Sequence, residues 1–545
     1  MSRKGQIEKL QTEIFDIIVI GGGINGLGVA RDAALRGLKV ALIEKGDFGS
    51  GTSSASAKLI HGGLRYLETY QFKIVLESVK ERNIQLKVAP HIVKPIHFVI
   101  PTFKGDRVKK WLILLGLYVY DLFSMFKRPR HKNLSKKRIL ELVPWLKKEK
   151  LNGGGLYCDA ITDDARLCLV NAQAAYENGA VILNYVQAKD IVREKDNWLV
   201  YAKDKIENKE IEIRGHTVVS VAGVWTKNFL YKEEKVPGIV FSKGSHLVFP
   251  QKFKDFGITY SYQSRKGGGY IIPWKNVTLI GTTDNICDNI EEANLTPKED
   301  IEFLHKEVNR LCDKSSFFAK DQIQATFAGI RPLFIDEKER EKEITDISRE
   351  YKIVELEKGL IVVIGGKLTT YRLLAKKVVD KITKKHLKIR RKCLTHKVKL
   401  PGSDVENYEK EEKRILKELE SMNIEPICAS HLINTYGTRV DKIIEIVKEK
   451  PSLKDRISQN KPIIKAEIEY MLANEFVETL EDIMIRRTWL NLEQDHGFDC
   501  LDYISNCLRK EYEKKHSKEK ATEMINQQLI SYKEYISKME KRINY

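Results

Sequence analysis

The residues that most directly suggest chemistry stand near the N-terminus. Gly21-Gly22-Gly23-Ile24-Asn25-Gly26 follows an apolar, β-branched run at 15–20 and precedes a helical pattern at 29–36. Gly21, Gly23 and Gly26 have the GxGxxG spacing of a dinucleotide site. The first glycine permits a tight turn, the second lets the backbone approach a pyrophosphate, and the third lets helix pack on strand. Amide N–H groups at the start of the following helix then face the phosphates, where the helix dipole favours negative charge. Glu44 closes a second strand at 39–44, and its carboxylate can accept hydrogen bonds from both ribose hydroxyls of an adenosine. Lys45 follows it.

Further along, the segment 51–66, GTSSASAKLIHGGLRY, is crowded with small and hydroxyl residues able to lie against an extended cofactor. Arg331 sits between Ile330 and Pro332 in an apolar run. A guanidinium there can pair two phosphate oxygens at once. His61 and His246 are side chains that can take a proton near neutral pH. Lys367 follows two glycines at a strand-to-helix turn, where a cation and a helix N-terminus would stabilise negative charge.

These groups need a framework to hold them. Strands are expected at 15–20, 39–44, 217–221, 246–249, 277–280 and 360–364, with helical patterns between them, which predicts mixed α/β architecture. From about Leu400 the chain reads as amphipathic helix, including a pattern over 468–484, and so as a separate helical domain. The charged stretch from Arg509 reads as a solvated helix. The run 111–126, WLILLGLYVYDLFSMF, is interrupted by Asp121 and falls short of the roughly 18 apolar residues of a membrane span. It reads as a buried helix, with a membrane-contacting segment as the alternative.

At 545 residues, two or three domains are expected. Lys and Arg total 94 against 75 Asp and Glu, a net charge of +19. That excess suits an anionic partner, but a generally Lys-rich composition accounts for it equally well. No nucleic-acid recognition motif accompanies it, so no nucleic-acid partner is expected. The eight cysteines are scattered without a CxxC pair, which argues against iron–sulfur, structural zinc and disulfides. Reduced thiols in a cytoplasmic setting fit best, and neither a secretory signal nor a transit segment is read at the N-terminus.

The motifs TSSASAKLIHGGLRYLE, DDARL (163–167), KGSH (243–246), IIPW (271–274) and GTTD (281–284) are more specific than any fold class. With GIRPL (329–333), SREY (348–351), GGKLTTYR (365–372) and RRTWL (486–490), the chain resembles the FAD-dependent glycerol-3-phosphate dehydrogenases, nearest their bacterial respiratory branch. The resemblance covers all but the first dozen and last twenty or so residues. It implies an α/β (α+β) chain: a Rossmann-like FAD-binding domain interleaved with a β-rich substrate domain, then an all-helical C-terminal domain. The implied boundaries are 1–399, with an FAD core at about 13–100, 155–235 and 325–390 and substrate-domain parts at about 101–154 and 236–324, followed by 400–545.

What the resemblance implies for chemistry is oxidation of sn-glycerol 3-phosphate to dihydroxyacetone phosphate, with a hydride leaving C2 for flavin N5 and electrons passing to membrane quinone. The alternative is an oxidase that reduces oxygen to peroxide; the chain lacks the extra insertion typical of oxidases. FAD would be held by Gly21, Gly22, Gly23, Ile24, Asn25, Gly26, Glu44 and Lys45. Thr52, Ser53, Ser54, Lys58, Leu59, His61 and Gly62 would continue its site, with Gly223, Gly366, Lys367, Leu368 and Thr369. At 220–225 the chain reads SVAGVW and departs from the family, so only Gly223 is carried over there. Arg331 and Arg349 are the expected phosphate ligands, with Arg65, Tyr66 and Lys367 as further substrate contacts. The base is assigned to His246, with Lys367 or Arg331 stabilising the developing alkoxide. The helix after Lys367 has an apolar face and carries Lys376, Lys377, Lys381, Lys384 and Lys385 on the other. It is expected to rest on an anionic membrane surface at the cytoplasmic face of the bacterial cell membrane, with a homodimer allowed.

Overall fold

A computed structural model describes residues 3–67, 71–124, 129–226, 238–335 and 350–544. Two sheets organise the described residues up to position 364. In the first, Ile14–Ile20 lies between Lys209–Ser220 and Val40–Ile43, all parallel, with Leu360–Ile364 and Val181–Leu183 extending the parallel order outward. Short β-branched strands without polar alternation fit a parallel sheet covered on both faces. Every residue from Ile17 to Ile20, and from Val40 to Ile43, is buried.

The second sheet is mixed, with ten strands among the described residues, and it forms the opposite wall of the molecule's main cavity. Its centre runs Ile239–Pro250, Val277–Gly281, Gly268–Trp274, Phe256–Ser261, Val93–Phe103 and Leu151–Thr162. Ala325–Phe334 pairs antiparallel with Ile239–Pro250 over ten residues, placing Arg331 opposite Ser242. Residues 93–100, 155–162 and 325–334, expected in the dinucleotide core, therefore lie in strands of this second sheet.

The C-terminal region is helical from Tyr408 to Ile543, as its periodicity predicts. Its helices share one continuous apolar core with the second sheet. The Trp274 and Trp489 rings meet edge to face at 5.1 Å, and Thr326 N–H reaches Met539 Sδ at 3.5 Å. Three local expectations need correction. The helix read over 468–484 ends at Asn474. Glu475 turns inward onto Arg166, Phe476 takes a left-handed φ of +53°, and Asp482 starts a new turn by accepting from Glu478 and Thr479 N–H, both at 2.9 Å. The charged C-terminal stretch is not wholly solvated: Lys518–Ile543 buries Ile525, Tyr532, Ile536 and Met539 along one face. Lastly, the apolar run read as a buried helix forms Lys110–Phe123, but only Leu117, Tyr120 and Asp121 of it are buried.

One buried cluster ties the C-terminal region to the nucleotide half. Asp47, three residues past Glu44, accepts from Arg487 Nη1 at 2.6 Å and Nη2 at 2.9 Å. Arg486 Nε joins it at 2.5 Å. Burial alone would raise this carboxyl's pKa, but Arg487 and Arg486 outweigh it and bring it down to about 2. Removing one member of such a cluster leaves buried charge uncompensated. Asp47→Ala should cost about 3–5 kcal/mol in urea unfolding; a loss under about 1 kcal/mol would remove the cluster from the stability of the interface. Because the folded pKa is depressed, the native contribution is complete above about pH 4 and fades as pH falls toward 2, so Asp47→Asn should flatten the stability profile in that window.

Candidate active site

The glycine turn is built by steric necessity. Gly21 has φ +112°, a region open to glycine, and its N–H donates to Ile43 O at 2.9 Å. A Cβ on Gly26 would fall 1.9 Å from Gly21 O, so the turn itself excludes any other residue there. A Cβ on Gly23 would meet only Ser53 Oγ, at 3.1 Å. Within the protein only that hydroxyl, which would have to give by a few tenths of an ångström, crowds position 23, so the stronger demand for glycine comes from what approaches through the cavity. Glu44 is held by Gly22 N–H at 2.6 Å and Gly46 N–H at 2.9 Å. Burial raises its pKa, and the two amides oppose that rise. Ser53 Oγ accepts from Ile24 N–H, the first helical amide, at 3.0 Å.

The turn opens into a cavity of about 860 Å³ between the two sheets. Three cross-links shape its far end. Asn25 Nδ2 donates to Gly365 O at 3.3 Å. Thr369 Oγ1 and the His61 backbone exchange hydrogen bonds at 3.2 Å, and Gln85 Nε2 donates to Thr369 O at 2.6 Å. Lys367 Nζ sits 3.8 Å from the centre of the Tyr66 ring, a cation–π distance. Arg331 enters from the second sheet: its Nη2 donates to Thr282 Oγ1 at 3.0 Å and its Nη1 lies 3.5 Å from Asp284. Gly244, of KGSH, leaves the space this guanidinium fills, since a Cβ there would meet Nη2 at 2.1 Å. Thr52 Oγ1 donates to Ile330 O at 2.5 Å, fastening the cofactor-facing loop to the arginine's strand.

A dinucleotide turn, a carboxylate at the ribose position and a cationic far end fit a flavin enzyme of the kind the motifs suggest, and comparison with known proteins decides the family. The FAD dependent oxidoreductase family matches residues 16–380, and the C-terminal domain of alpha-glycerophosphate oxidase matches 393–519. The aerobic glycerol-3-phosphate dehydrogenase of Staphylococcus haemolyticus (strain JCSC1435) is 36% identical over 501 residues, 88% of each chain. That of Staphylococcus aureus (strain bovine RF122 / ET3-1) is 34% identical over 521 residues, 92% of this chain and 91% of the relative. The chain belongs to the FAD-dependent glycerol-3-phosphate dehydrogenase family. The glycerol-3-phosphate dehydrogenase from Bacillus halodurans complexed with FAD superposes with TM-score 0.78 at 26% identity, covering 97% of both chains. The L-alpha-glycerophosphate oxidase of Mycoplasma pneumoniae shares the fold, with TM-score 0.54 at 18% identity over 70% of this chain and 97% of that one.

FAD is the family's cofactor, and the residues present fit it. Glu44 suits the ribose, the amides beyond Gly23 suit the pyrophosphate, and Gly366, Lys367, Leu368 and Thr369 close the far end. Of the other residues singled out in the sequence, Gly21, Ile24, Asn25, Thr52, Ser53 and Leu59 line the cavity, as do His61, Tyr66, Gly223 and Arg331. Gly22 and Gly26 act behind the wall, shaping the turn. Lys45 lies over the Trp225 ring at 3.5 Å. Gly62 is buried, with its N–H on Tyr120 Oη at 2.7 Å. Ser54 contributes its carbonyl to Lys58 Nζ at 2.6 Å.

Two residues are corrected. Lys58 is turned away from the cavity and pairs with Asp164 at 2.7 Å in a fully buried contact. His246 is buried and stacked on Phe327, ring centres 4.6 Å apart, outside the cavity lining. Burial, then the cations Arg331 and Lys58, hold its pKa well below the usual range, so it is a weak proton acceptor. Arg349 lies outside the described residues, and only the backbone of Arg65 is described. Sequence reasoning missed Trp225 and Tyr270, which line the cavity. The GGGY run before IIPW was the available signal that this strand passes close against a neighbour, since a Cβ on Gly269 would strike the Tyr260 ring at 2.6 Å.

Because the protein itself crowds position 23 only through the Ser53 hydroxyl, Gly23→Val should abolish flavin binding at a much smaller cost in thermal stability. Visible absorbance after purification checks this; a yellow, fully loaded variant would show that nothing approaches the turn closely.

Proposed function

We propose that this chain oxidises sn-glycerol 3-phosphate to dihydroxyacetone phosphate and delivers the electrons to a membrane quinone, as a peripheral protein at the cytoplasmic face of the bacterial membrane. The observation that carries the reading is that one cavity holds both the dinucleotide turn and the groups Arg331, Lys367 and His61. The dehydrogenase names of relatives at 34–36% identity support the same chemistry. Bound FAD supplies a two-electron acceptor for the hydride that leaves the substrate's carbinol carbon.

The chain's own residues do the rest. Arg331, oriented by Thr282 and Asp284, presents a rigid fork to the phosphate dianion. Tyr66 contacts the substrate from the loop side, and Arg65 and Arg349 keep the substrate-binding roles that the motifs imply. Lys367 precedes the turn Leu368–Thr370 and the helix Tyr371–Lys385, so a cation and helical amides jointly stabilise negative charge at this end. The proton of the substrate hydroxyl passes to the imidazole of His61, not His246: His61 lines the cavity and its backbone is locked on both sides by Thr369.

An anaerobic visible spectrum tests the substrate: flavin should bleach on adding sn-glycerol 3-phosphate, and flavin that stays oxidised would sink this assignment. Peroxide formation measured against quinone reduction tests the acceptor. Arg331→Ala should raise KM by about 10–100-fold with FAD retained, the loss of about 1.5–3 kcal/mol expected for a charged hydrogen bond; an unchanged KM removes Arg331 from the phosphate site. His61→Asn should lower kcat by about 10²–10⁴-fold, the usual worth of general-base catalysis, with KM little altered. A comparable loss in flavin-loaded His246→Asn, with His61→Asn active, would reverse the assignment.

A further inference from the structure

A second cavity, of about 420 Å³, lies on the seam between the C-terminal helices and the two-sheet part of the chain. It shares no lining residue with the flavin cavity. One wall is the helix Pro426–Tyr436, which contributes Ser430, His431 and Asn434. The opposite wall includes His91, Lys94 and, from the helix Asp164–Glu177, Arg166. Ser430 and Asn434 are exposed, so the cavity opens to solvent along the C-terminal helix. His91 and Arg166, across from them, are only 1% and 2% exposed.

Polar groups on the buried wall lack partners. Neither ring nitrogen of His91 is hydrogen-bonded among the described residues, and neither is Arg166 Nε. Buried polar groups are nearly always paired, so the imidazole points to something polar that enters the cavity. Burial, then the cations Arg166, Lys94 and Arg439, brings its pKa down to about 3. It is therefore neutral at pH 7, with one N–H to donate and one nitrogen to accept.

The charge available to a ligand is concentrated at Lys94. Its Nζ donates to Asn434 Oδ1 across the seam. The carboxylate that acts on it, Glu412, does so through space and without a hydrogen bond. The other cations are matched. Lys275 meets Asp163 at 2.7 Å, Lys461 meets Asp495 at 2.6 Å with Glu493 at 3.9 Å, and Arg166 pairs with Glu475. His431 Nε2 faces Glu467 at 2.9 Å. Ser430 Oγ accepts Asn434 Nδ2 at 3.2 Å and keeps its own proton to donate.

Two protons of Lys94, the His91 N–H, the Ser430 hydroxyl and Arg166 Nε thus converge from three separate elements. A planar carboxylate meets donors in one plane, whereas a phosphate presents three acceptor oxygens in different directions and carries more charge. The lining also includes Thr162 and Trp489, which hold the cofactor-facing loop from behind. Thr162 N–H donates to Lys58 O at 2.8 Å, and Lys58 Nζ lies 3.7 Å from the centre of the Trp489 ring. A ligand that grips both walls secures the helical region where it backs that loop.

We propose that this second cavity binds a small phosphate-bearing anion, either inorganic phosphate or a phosphorylated metabolite, through Lys94, His91 and Ser430, and that its occupation fastens the C-terminal helices to the rest of the chain. The proposal does not rest on the function proposed above.

Hydrogen exchange in the FAD-loaded full chain tests it, read on peptides covering 89–95 and 427–436. Inorganic phosphate at about ten times its Kd should slow seam-limited exchange there about tenfold, relative to potassium chloride of equal ionic strength. Lys94→Gln should raise the phosphate concentration needed by about tenfold, the usual worth of a charged hydrogen bond. Asn434→Asp, at an exposed position, sets a carboxylate against Lys94 and should have the same effect, which keeps the test open should Lys94→Gln destabilise the fold. Glu412→Gln removes an opposing charge and should lower the concentration needed by about two- to threefold. The visible spectrum of the flavin should be unchanged in all three variants. Repeating the titration with dihydroxyacetone phosphate separates the sources: protection at about tenfold lower concentration assigns the site to a phosphorylated metabolite, and otherwise to the free ion. Chloride that protects as well as phosphate, or protection unaltered in both Lys94→Gln and Asn434→Asp, overturns the proposal. So does the lack of protection by either probe at about 30 mM, well above a millimolar Kd; solvent alone then meets His91.

Discussion

The geometry of the site depends on one buried ion pair. Lys58 has a left-handed backbone, φ +57°, and its ammonium reaches Asp164 at 2.7 Å and Ser54 O at 2.6 Å. The second carboxylate oxygen of Asp164 accepts both the N–H and the hydroxyl of Ser56, at 3.0 and 2.6 Å. Lys58 O in turn accepts Thr162 N–H at 2.8 Å. The segment from Ser54 to Leu59 is therefore cast around a single charge pair, with Thr52, Ser53 and His61 at either end facing the cavity. Burial works against the charge on both partners, lowering the pKa of the lysine and raising that of the aspartate. Such a pair adds little net stability over an apolar equivalent, yet loss of either member would leave a buried charge stranded. Its contribution is to shape the loop.

The same cation joins the three parts of the chain. Its Nζ lies 3.7 Å from the centre of the Trp489 ring, in the C-terminal helices, and 5.1 Å from that of Phe327, in the second sheet. Trp489 Nε1 also donates to Asp163 Oδ2 at 3.0 Å. The DDARL and RRTWL motifs thus have a physical reading that needs no contact with substrate. Asp164 holds the loop, Arg166 meets Glu475, and Arg486 and Arg487 converge on Asp47 beside the nucleotide strand. The helical region acts as a clamp on the loops that form the cavity.

What was legible in the sequence follows from how local each requirement is. The strand–turn–helix at 14–35 could be read because its demands are local: Gly26 is required by Gly21 O, five residues away, and Gly21 by its own backbone φ of +112°. Arg331 could be expected at the cavity, which it lines, because a charge in an apolar strand needs a purpose. Lys58 could not be read, since its partner lies 106 residues further on and nothing in ASAKLI distinguishes a lysine facing a cofactor from one facing a carboxylate. His246 failed for a related reason: alternation along Ile239–Pro250 does not say whether its inner face meets the cavity or Phe327. The outward apolar helix inverts the usual rule. Its composition says that it avoids water, and only tertiary placement says whether protein or another apolar phase covers it.

A flavin enzyme that takes electrons from a charged substrate and gives them to a lipid-soluble acceptor faces a conflict over one cavity. A phosphate dianion needs cations and fixed donors, while an apolar acceptor needs a dry path lined by hydrocarbon. In the function proposed above, these demands fall on different parts of the cavity wall. Arg331 and Lys367 belong to the second-sheet strand and the 365–369 loop, whereas Phe72, Leu112 and Leu115 belong to the helices Phe72–Val88 and Lys110–Phe123. The net charge of +19 bears on this only through its distribution. Cations matched by carboxylates along Tyr371–Lys385 project little field. Placement of charge within the cavity wall, rather than its total, is what would let one cavity serve two chemically opposite partners.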